Sequence, residues 1–169
     1  VPGTHNLLNA SGALAVLALL GVSVPTAVAG IAAFRGTGRR FEERGSVAGV
    51  RVVDDYAHHP TEVTALLRAA RTVAGTGRVL VLFQPHLFSR TAHFASEFAT
   101  ALSLADLAVV TDVYAAREDP VEGVTGETIT RHMTPDVGLF VADRTEAALR
   151  VAAHARPGDL VLTVGAGDV

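Results

Sequence analysis

The sequence predicts an α/β fold: a mostly parallel sheet with helices on both faces, preceded by a short helical region. Three observations carry this. Short apolar runs rich in valine and leucine alternate with amphipathic stretches from residue 50 to residue 164, the pattern of strands joined by crossover helices. The runs are continuous and four or five residues long, as buried strands are. Several of them end in polar residues, which is where open parallel sheets bind ligands.

Composition sets the outer bounds. The chain has 169 residues, 49% hydrophobic and 18% charged, a balance opposite to that of disordered chains. Its net charge of -3 gives no electrostatic case for nucleic acid as a partner. Cysteine is absent, so disulfides, thiolate metal sites and a cysteine nucleophile are excluded. Lysine is absent too, and all 14 basic side chains other than histidine are arginine. A Schiff-base lysine and a complete phosphate loop ending in Gly-Lys-Ser/Thr are therefore excluded within these residues. Phosphate chemistry must use arginine, histidine, backbone amides or metal, or a lysine from elsewhere.

Taken in order, the elements read as follows. Leu7 to Phe34 carries no charge and is long enough to suggest a membrane helix. Asn9, Ser11, Ser23 and Thr26 interrupt it, however, and Gly21 and Pro25 break it. We expect two short buried helices instead, with Pro25 near the start of the second, and no membrane insertion. No basic segment precedes the stretch, so a signal peptide is not expected. The abrupt opening Val1-Pro2-Gly3-Thr4, without methionine, suggests a fragment. Thr37-Gly38 is the linker candidate. The charged run from Arg39 to Gly45 and the β-branched run Val50–Val53 suggest a hairpin closed near residues 46–49.

Pro60 opens a helix whose apolar stripe is Val63, Leu66, Leu67, Ala70 and Val73. Val79–Phe83 is a buried strand. Phe94, Ala95, Phe98 and Leu102 mark the next helix, and Leu107–Thr111 the next strand. A weaker helix falls near Gly126–His132 and a short strand at Leu139–Val141. Asp143 with Glu146 reads as a capping box for the helix through Ala153, and Leu160–Val164 is the last strand. A Rossmann-like domain thus runs from residue 41 to 169, and residues 1–40 are the truncated end of a neighbouring domain.

The strand ends gather polar groups: Asp54, Asp55, Tyr56, His58 and His59; Gln84, His86, Ser89 and Arg90; Asp112, Tyr114, Arg117 and Glu118; and Gly165-Ala166-Gly167-Asp168. Their recurrence suggests one cleft carrying acids, histidines and arginines. Asp54, Asp55, His58 and His59 are close enough in sequence to hold a divalent metal for phosphoester hydrolysis. They could equally cap the following helix, or contact a nucleotide and substrate. Spacing leaves these three open, together with a non-catalytic nucleotide-binding module. Arg90 near a helix start could grip a carboxylate or phosphate, against the plainer role of a surface ion pair. Gly165-Ala166-Gly167 is a weak phosphate signal and fits a tight turn better. Asn6 and Asn9 are three apart and share a helical face; paired amides can read a purine edge.

Six segments then carry a resemblance. They are Gly3-Thr4-His5-Asn6-Leu7-Leu8-Asn9-Ala10, Gly38-Arg39-Arg40-Phe41-Glu42, Asp54-Asp55-Tyr56-Ala57-His58-His59-Pro60-Thr61-Glu62, Phe83-Gln84-Pro85-His86 with Ser89-Arg90-Thr91, Asp112-Val113-Tyr114, and Gly165-Ala166-Gly167-Asp168. In this order they resemble the Mur ligases, over essentially the whole chain. Within that family the resemblance is to the branch that adds L-alanine to UDP-N-acetylmuramate. The branch that recycles a murein tripeptide typically departs at Tyr56 and at Gln84-Pro85-His86.

The resemblance implies a three-domain cytoplasmic enzyme of peptidoglycan synthesis, of which this chain is the end of the central ATPase domain plus the amino-acid-receiving C-terminal domain. It implies ATP as cosubstrate, with Mg2+ held mainly by upstream residues and no metal ligand assigned here. UDP-N-acetylmuramate and L-alanine are the implied partners, joined through an acyl phosphate. Position by position, Asn6 and Asn9 resemble the paired asparagines near adenine. Arg40 and Asp55 resemble the residues reaching the nucleotide across the domain junction. His58, His86 and Arg90 resemble residues on the amino-acid and reacting-phosphate side, with Tyr56 beside them. Many members carry arginine where Leu87 stands, which leaves carboxylate recognition resting on Arg90. The resemblance also implies that the fragment alone is inactive.

Overall fold

The computed structural model describes residues 2–169. Two helices come first, α1 (Thr4–Leu19) and α2 (Val24–Ala33). Ser23 caps α2 by accepting from the Thr26 N–H, and Pro25 sits in its first turn, where a missing N–H costs nothing. The hairpin follows as β1 (Glu42–Val47) and β2 (Val50–Asp55). Ala48 and Gly49 form its turn, both at positive φ (49° and 76°), as the twist of a two-residue hairpin demands.

The rest is α3 (Pro60–Ala74), β3 (Val79–Phe83), α4 (Phe88–His93), α5 (Ala95–Leu102), β4 (Leu107–Val110), α6 (Glu127–Thr130), β5 (Gly138–Phe140), α7 (Arg144–His154) and β6 (Leu160–Val164). The six strands lie in the order β1-β2-β6-β3-β4-β5. Only β1 is antiparallel to its neighbour; β2, β6, β3, β4 and β5 run parallel. β6 returns to the middle, so the carboxyl ends of β2, β6 and β3 stand side by side.

Strand alternation sorts the core into two layers. Val79, Val81 and Phe83 point to the face covered by α3, α5 and α6, where they pack with Leu67, Phe98 and Ile129. Leu80 and Leu82 point to the other face, onto Ala147 and Val151 of α7. Helices on both faces leave the central strands buried on both sides, which is why those runs lack polar alternation.

Three expectations are corrected. The first two helices form but are not buried: α1 buries no residue and α2 only Ala27. Both carry apolar residues on more than one face, and the packing of α1 on α2 and on α3 covers only the facing stripes. Leu7, Leu8, Val16 and Leu19 therefore remain in solvent. Second, the capping box at Asp143 is half formed: Asp143 accepts from the Glu146 N–H, with no return bond from the Glu146 side chain. The complete box lies at α3, where His59 accepts from the chain and the Glu62 carboxylate returns to the His59 N–H. Third, the segment after β3 is two helices, α4 and α5, broken at Phe94. Among the described residues no helix is long and apolar enough to cross a membrane.

Candidate functional site

The polar strand ends form two adjoining halves rather than one cleft. The first is a cavity of about 1070 Å³ between α1, α2, the segment 34–41 and the start of α3. Asn6, Asn9, Arg40 and Asp55 all line it. Asn6 already donates from Nδ2 to the Pro2 carbonyl (2.7 Å), so its amide orientation is fixed and its Oδ1 is left to accept. The Asp55 carboxylate accepts the Phe41 N–H (2.8 Å) and the Ala57 N–H (2.9 Å). It thereby ties the incoming segment to the end of β2. Burial raises its pKa above the ordinary carboxylate value, opposed by those two N–H groups and by Arg40.

The second half lies on the other side of Tyr56. The His58 and His86 rings approach edge-on with centroids 6.0 Å apart. Tyr56 meets His58 edge-on at 5.3 Å, and Tyr114 stacks on His86 at 5.6 Å and 19°. The Arg90 guanidinium stands 3.5 Å from both the His58 carbonyl and His86 Nδ1. No carboxylate among the described residues pairs with it. An unpaired guanidinium beside two imidazoles has the chemistry to receive a small anion.

His86 sits here because the β3–β4 ladder runs past the strand ends. The Tyr114 N–H donates to the Pro85 carbonyl (2.8 Å) and the Leu87 N–H to the Tyr114 carbonyl (3.0 Å). Its pKa is lowered, first by burial, then by Arg90 and His58, with Glu118 opposing. The ring is therefore neutral at neutral pH and able to accept a proton.

A depressed imidazole also sets a sign for stability. Above the ordinary value of about 6.5 the ring is neutral both folded and unfolded, and costs nothing. As pH falls through that value, the unfolded chain takes up a proton that the folded one refuses, so stability is lost. The unfolding free energy is expected to drop between about pH 7 and pH 5.5, and His86→Asn to shrink that drop. Urea melts at the two pH values measure it; an equal drop in the variant would contradict it.

The two halves touch through one carboxylate. Glu62 Oε1 is 4.0 Å from Arg40, and Glu62 Oε2 accepts the His58 N–H (3.0 Å) and lies 3.5 Å from His58 Nδ1. Glu62 and Arg39 are the site-shaping residues that sequence reasoning missed. The signal for Glu62 was its place three residues after His59, the capping-box spacing. Arg39 had none, since adjacent arginines look alike in sequence. Its Nε pairs with Asp54 (3.0 Å), and its two terminal nitrogens donate to the Gly167 and Gly165 carbonyls (both 2.8 Å).

The remaining candidates lie elsewhere. Asp54 is consumed by Arg39 and by Thr163 Oγ1 (2.9 Å). His59 caps α3 and turns its ring onto Phe94. The metal grouping Asp54, Asp55, His58 and His59 is thus not assembled, and no three acidic or histidine side chains converge as metal ligands among the described residues. Gly165 and Gly167 form a packing turn: a Cβ on Gly167 would stand 2.3 Å from Gln84 Oε1 and 2.9 Å from the Tyr114 ring. Asp112 bonds its neighbour's N–H and Asp168 pairs with Arg144, both outside the two halves.

Comparison with known proteins shows the family. Residues 39–167 match the family model described as Mur ligase, glutamate ligase domain. The chain is 60% identical over 169 residues to the UDP-N-acetylmuramate--L-alanine ligase of Renibacterium salmoninarum, covering all of this chain and 36% of that protein. With the enzyme of the same name from Mycolicibacterium smegmatis it shares 56% over 171 residues, covering all of this chain and 35% of that protein. The chain thus spans about a third of the length of the curated relatives it matches. Among solved structures, the UDP-N-acetylmuramate-alanine ligase of Thermotoga maritima superposes with a TM-score of 0.80 at 34% identity, over 99% of this chain and 36% of that one. A murein peptide ligase from Psychrobacter arcticus gives 0.71 at 28%, over 98% and 34%. The family model matches residues 39–167, well over half of the chain, and this chain therefore belongs to the Mur ligase family.

Proposed function

We propose that these residues form the amino-acid-receiving third of a cytoplasmic UDP-N-acetylmuramate–L-alanine ligase. In this proposal residues 1–40 close the central ATPase domain and residues 41–169 make up the C-terminal domain. The observation that carries it is the unpaired Arg90 guanidinium set 3.5 Å from His86 and from the His58 carbonyl. ATP supplies the activation of the muramoyl carboxylate, and Mg2+ assists with ligands we place outside these residues.

The chain's own groups do the rest. Arg90 holds the L-alanine carboxylate and so fixes where the amine points. His86, kept neutral, takes the proton the amine loses as its nitrogen bonds the acyl carbon. His58 lies where charge collects on the departing phosphate. Tyr56, between the two halves, closes the alanine side. On the other half, Asn6 and Asn9 present amide edges to adenine, while Arg40 and Asp55 bracket the rest of the nucleotide. The size of the cavity and the convergence of those four side chains on it support this assignment.

The test is ADP release with UDP-N-acetylmuramate and ATP, by the whole ligase and by the 169-residue chain. L-Alanine is expected to stimulate the whole ligase only. Stimulation by a murein tripeptide but not by alanine would overturn the substrate assignment, and alanine-dependent release by the 169-residue chain would overturn its reading as a partial enzyme.

A further inference from the structure

The amino-acid half leaves one acidic group unassigned, and its position is unusual. α4 begins without a cap from its own sequence: Leu87 precedes it, and no side chain of that turn bonds the first amides. Leu87 moreover holds φ 74° and ψ 131°, a strained conformation for a residue with a Cβ. Such a turn persists only where its surroundings fix it. On one side the fixing is backbone: Leu87 donates to the Tyr114 carbonyl, and its own carbonyl accepts the Thr91 N–H (3.0 Å) and Oγ1 (2.8 Å).

On the other side it is Glu118, 29 residues onward. Its Oε2 accepts the Ser89 N–H (2.9 Å) and its Oε1 the Ser89 hydroxyl (2.5 Å). Glu118 is itself set by a turn, its N–H donating to the Ala115 carbonyl (3.0 Å) across Ala116 at φ 54°. Arg90 is the next residue after Ser89. The direction of its side chain therefore depends on where that first turn is pinned.

We propose that Glu118 is a positioning residue for the amino-acid half: by clamping Ser89 it holds the Leu87 turn and aims Arg90 at the carboxylate of the incoming amino acid. The proposal rests on the ligase reading above and deepens it. Glu118 acts through Ser89, the residue its carboxylate bonds. Its loop also supplies Tyr114, whose ring backs His86, so the segment after β4 braces both the guanidinium and the imidazole. The charge matters beyond geometry. His86 faces Arg90 on α4 and His58 after β2, which both disfavour its protonation, and the Tyr114 ring; Glu118 is the group that favours it.

Steady-state kinetics of the whole ligase test this, with Glu118→Ala, Glu118→Gln and Arg90→Ala. Glu118→Ala is expected to raise KM for L-alanine roughly tenfold, the weight of one charge-assisted clamp, with kcat falling less than KM rises. Glu118→Gln keeps an acceptor for Ser89 and is expected to recover part of that KM. Having lost the charge, it is also expected to titrate His86 at lower pH than the parent chain, read from ring proton shifts by NMR. An unchanged alanine KM in Glu118→Ala, or a lowered melting temperature without a KM change, would overturn the proposal. So would an unmoved His86 titration in Glu118→Gln. If Arg90→Ala raises the alanine KM while both Glu118 variants leave it alone, this inference fails and the ligase reading stands. If Arg90→Ala leaves it alone too, the assignment of Arg90 to amino-acid recognition fails with it.

Discussion

Arg90→Ala in the whole ligase is expected to lower kcat/KM for L-alanine about a hundredfold, or ~2.7 kcal/mol of transition-state binding. Most of the loss should appear in KM. Among the described residues the guanidinium has no carboxylate to satisfy, and its two protein contacts are at the 3.5 Å limit of hydrogen bonding. Its charge is therefore available to the ligand rather than to the fold. For the same reason the melting temperature should hardly move. Arg90→Lys should recover only part of the loss, because a point charge lacks the planar fork that grips a carboxylate with two parallel bonds. Initial rates across an alanine titration measure this; a variant with parental KM would remove Arg90 from amino-acid recognition.

Arg39→Ala should cost the fold about 2–3 kcal/mol, while the neighbouring Arg40→Ala stays within about 0.5 kcal/mol. Through its side chain Arg39 ties its own segment to two others, the end of β2 and the turn after β6. Its backbone N–H bonds Glu42 (2.8 Å), its Nε pairs with Asp54 at the end of β2, and its terminal nitrogens seize the carbonyls of Gly165 and Gly167. Truncation leaves Asp54, which is largely buried, without its cation, and frees the turn after β6. Arg40 is half exposed, and reaches Glu62 at 4.0 Å and the face of the Tyr56 ring at 5.8 Å. Denaturant unfolding of the 169-residue chain separates the two. Equal losses would mean that the clamp is shared, and no loss at Arg39 would mean that Thr163 alone satisfies Asp54.

The contrast between these two arginines shows where sequence reasoning stops. Adjacent, identical side chains leave a backbone on different sides, and only the path of the backbone decides which enters the fold and which lines the cavity. Here the path is unusual: Arg39 and Phe41 both have positive φ (55° and 50°), a conformation that residue type does not announce. The two histidines after β2 divide in the same way. His58 turns toward His86, while His59 becomes the cap of α3 because Pro60 follows it in the first helical position.

The sheet and its two helical layers were legible because they rest on periodicity. Val79–Phe83 could only be a strand buried on both faces, and the stripe from Val63 to Val73 could only be one side of a helix. The strand-end motifs were legible because open parallel sheets expose their carboxyl ends. The exposure of α1 and α2 was not, since an apolar helix states that it wants a partner and not whether the partner is within reach.

From order and spacing alone, this chain determined its layers, its strand ends and the residue types gathered there. Tertiary structure decided how those residues divide into a cavity of about 1070 Å³ and an imidazole–guanidinium cluster, that Glu62 joins the two, and that Glu118 bonds Ser89 beside the second. The physical reason is range. Periodic burial is a local property written every two or four residues, whereas a hydrogen bond between Ser89 and Glu118 depends on two turns meeting across a sheet.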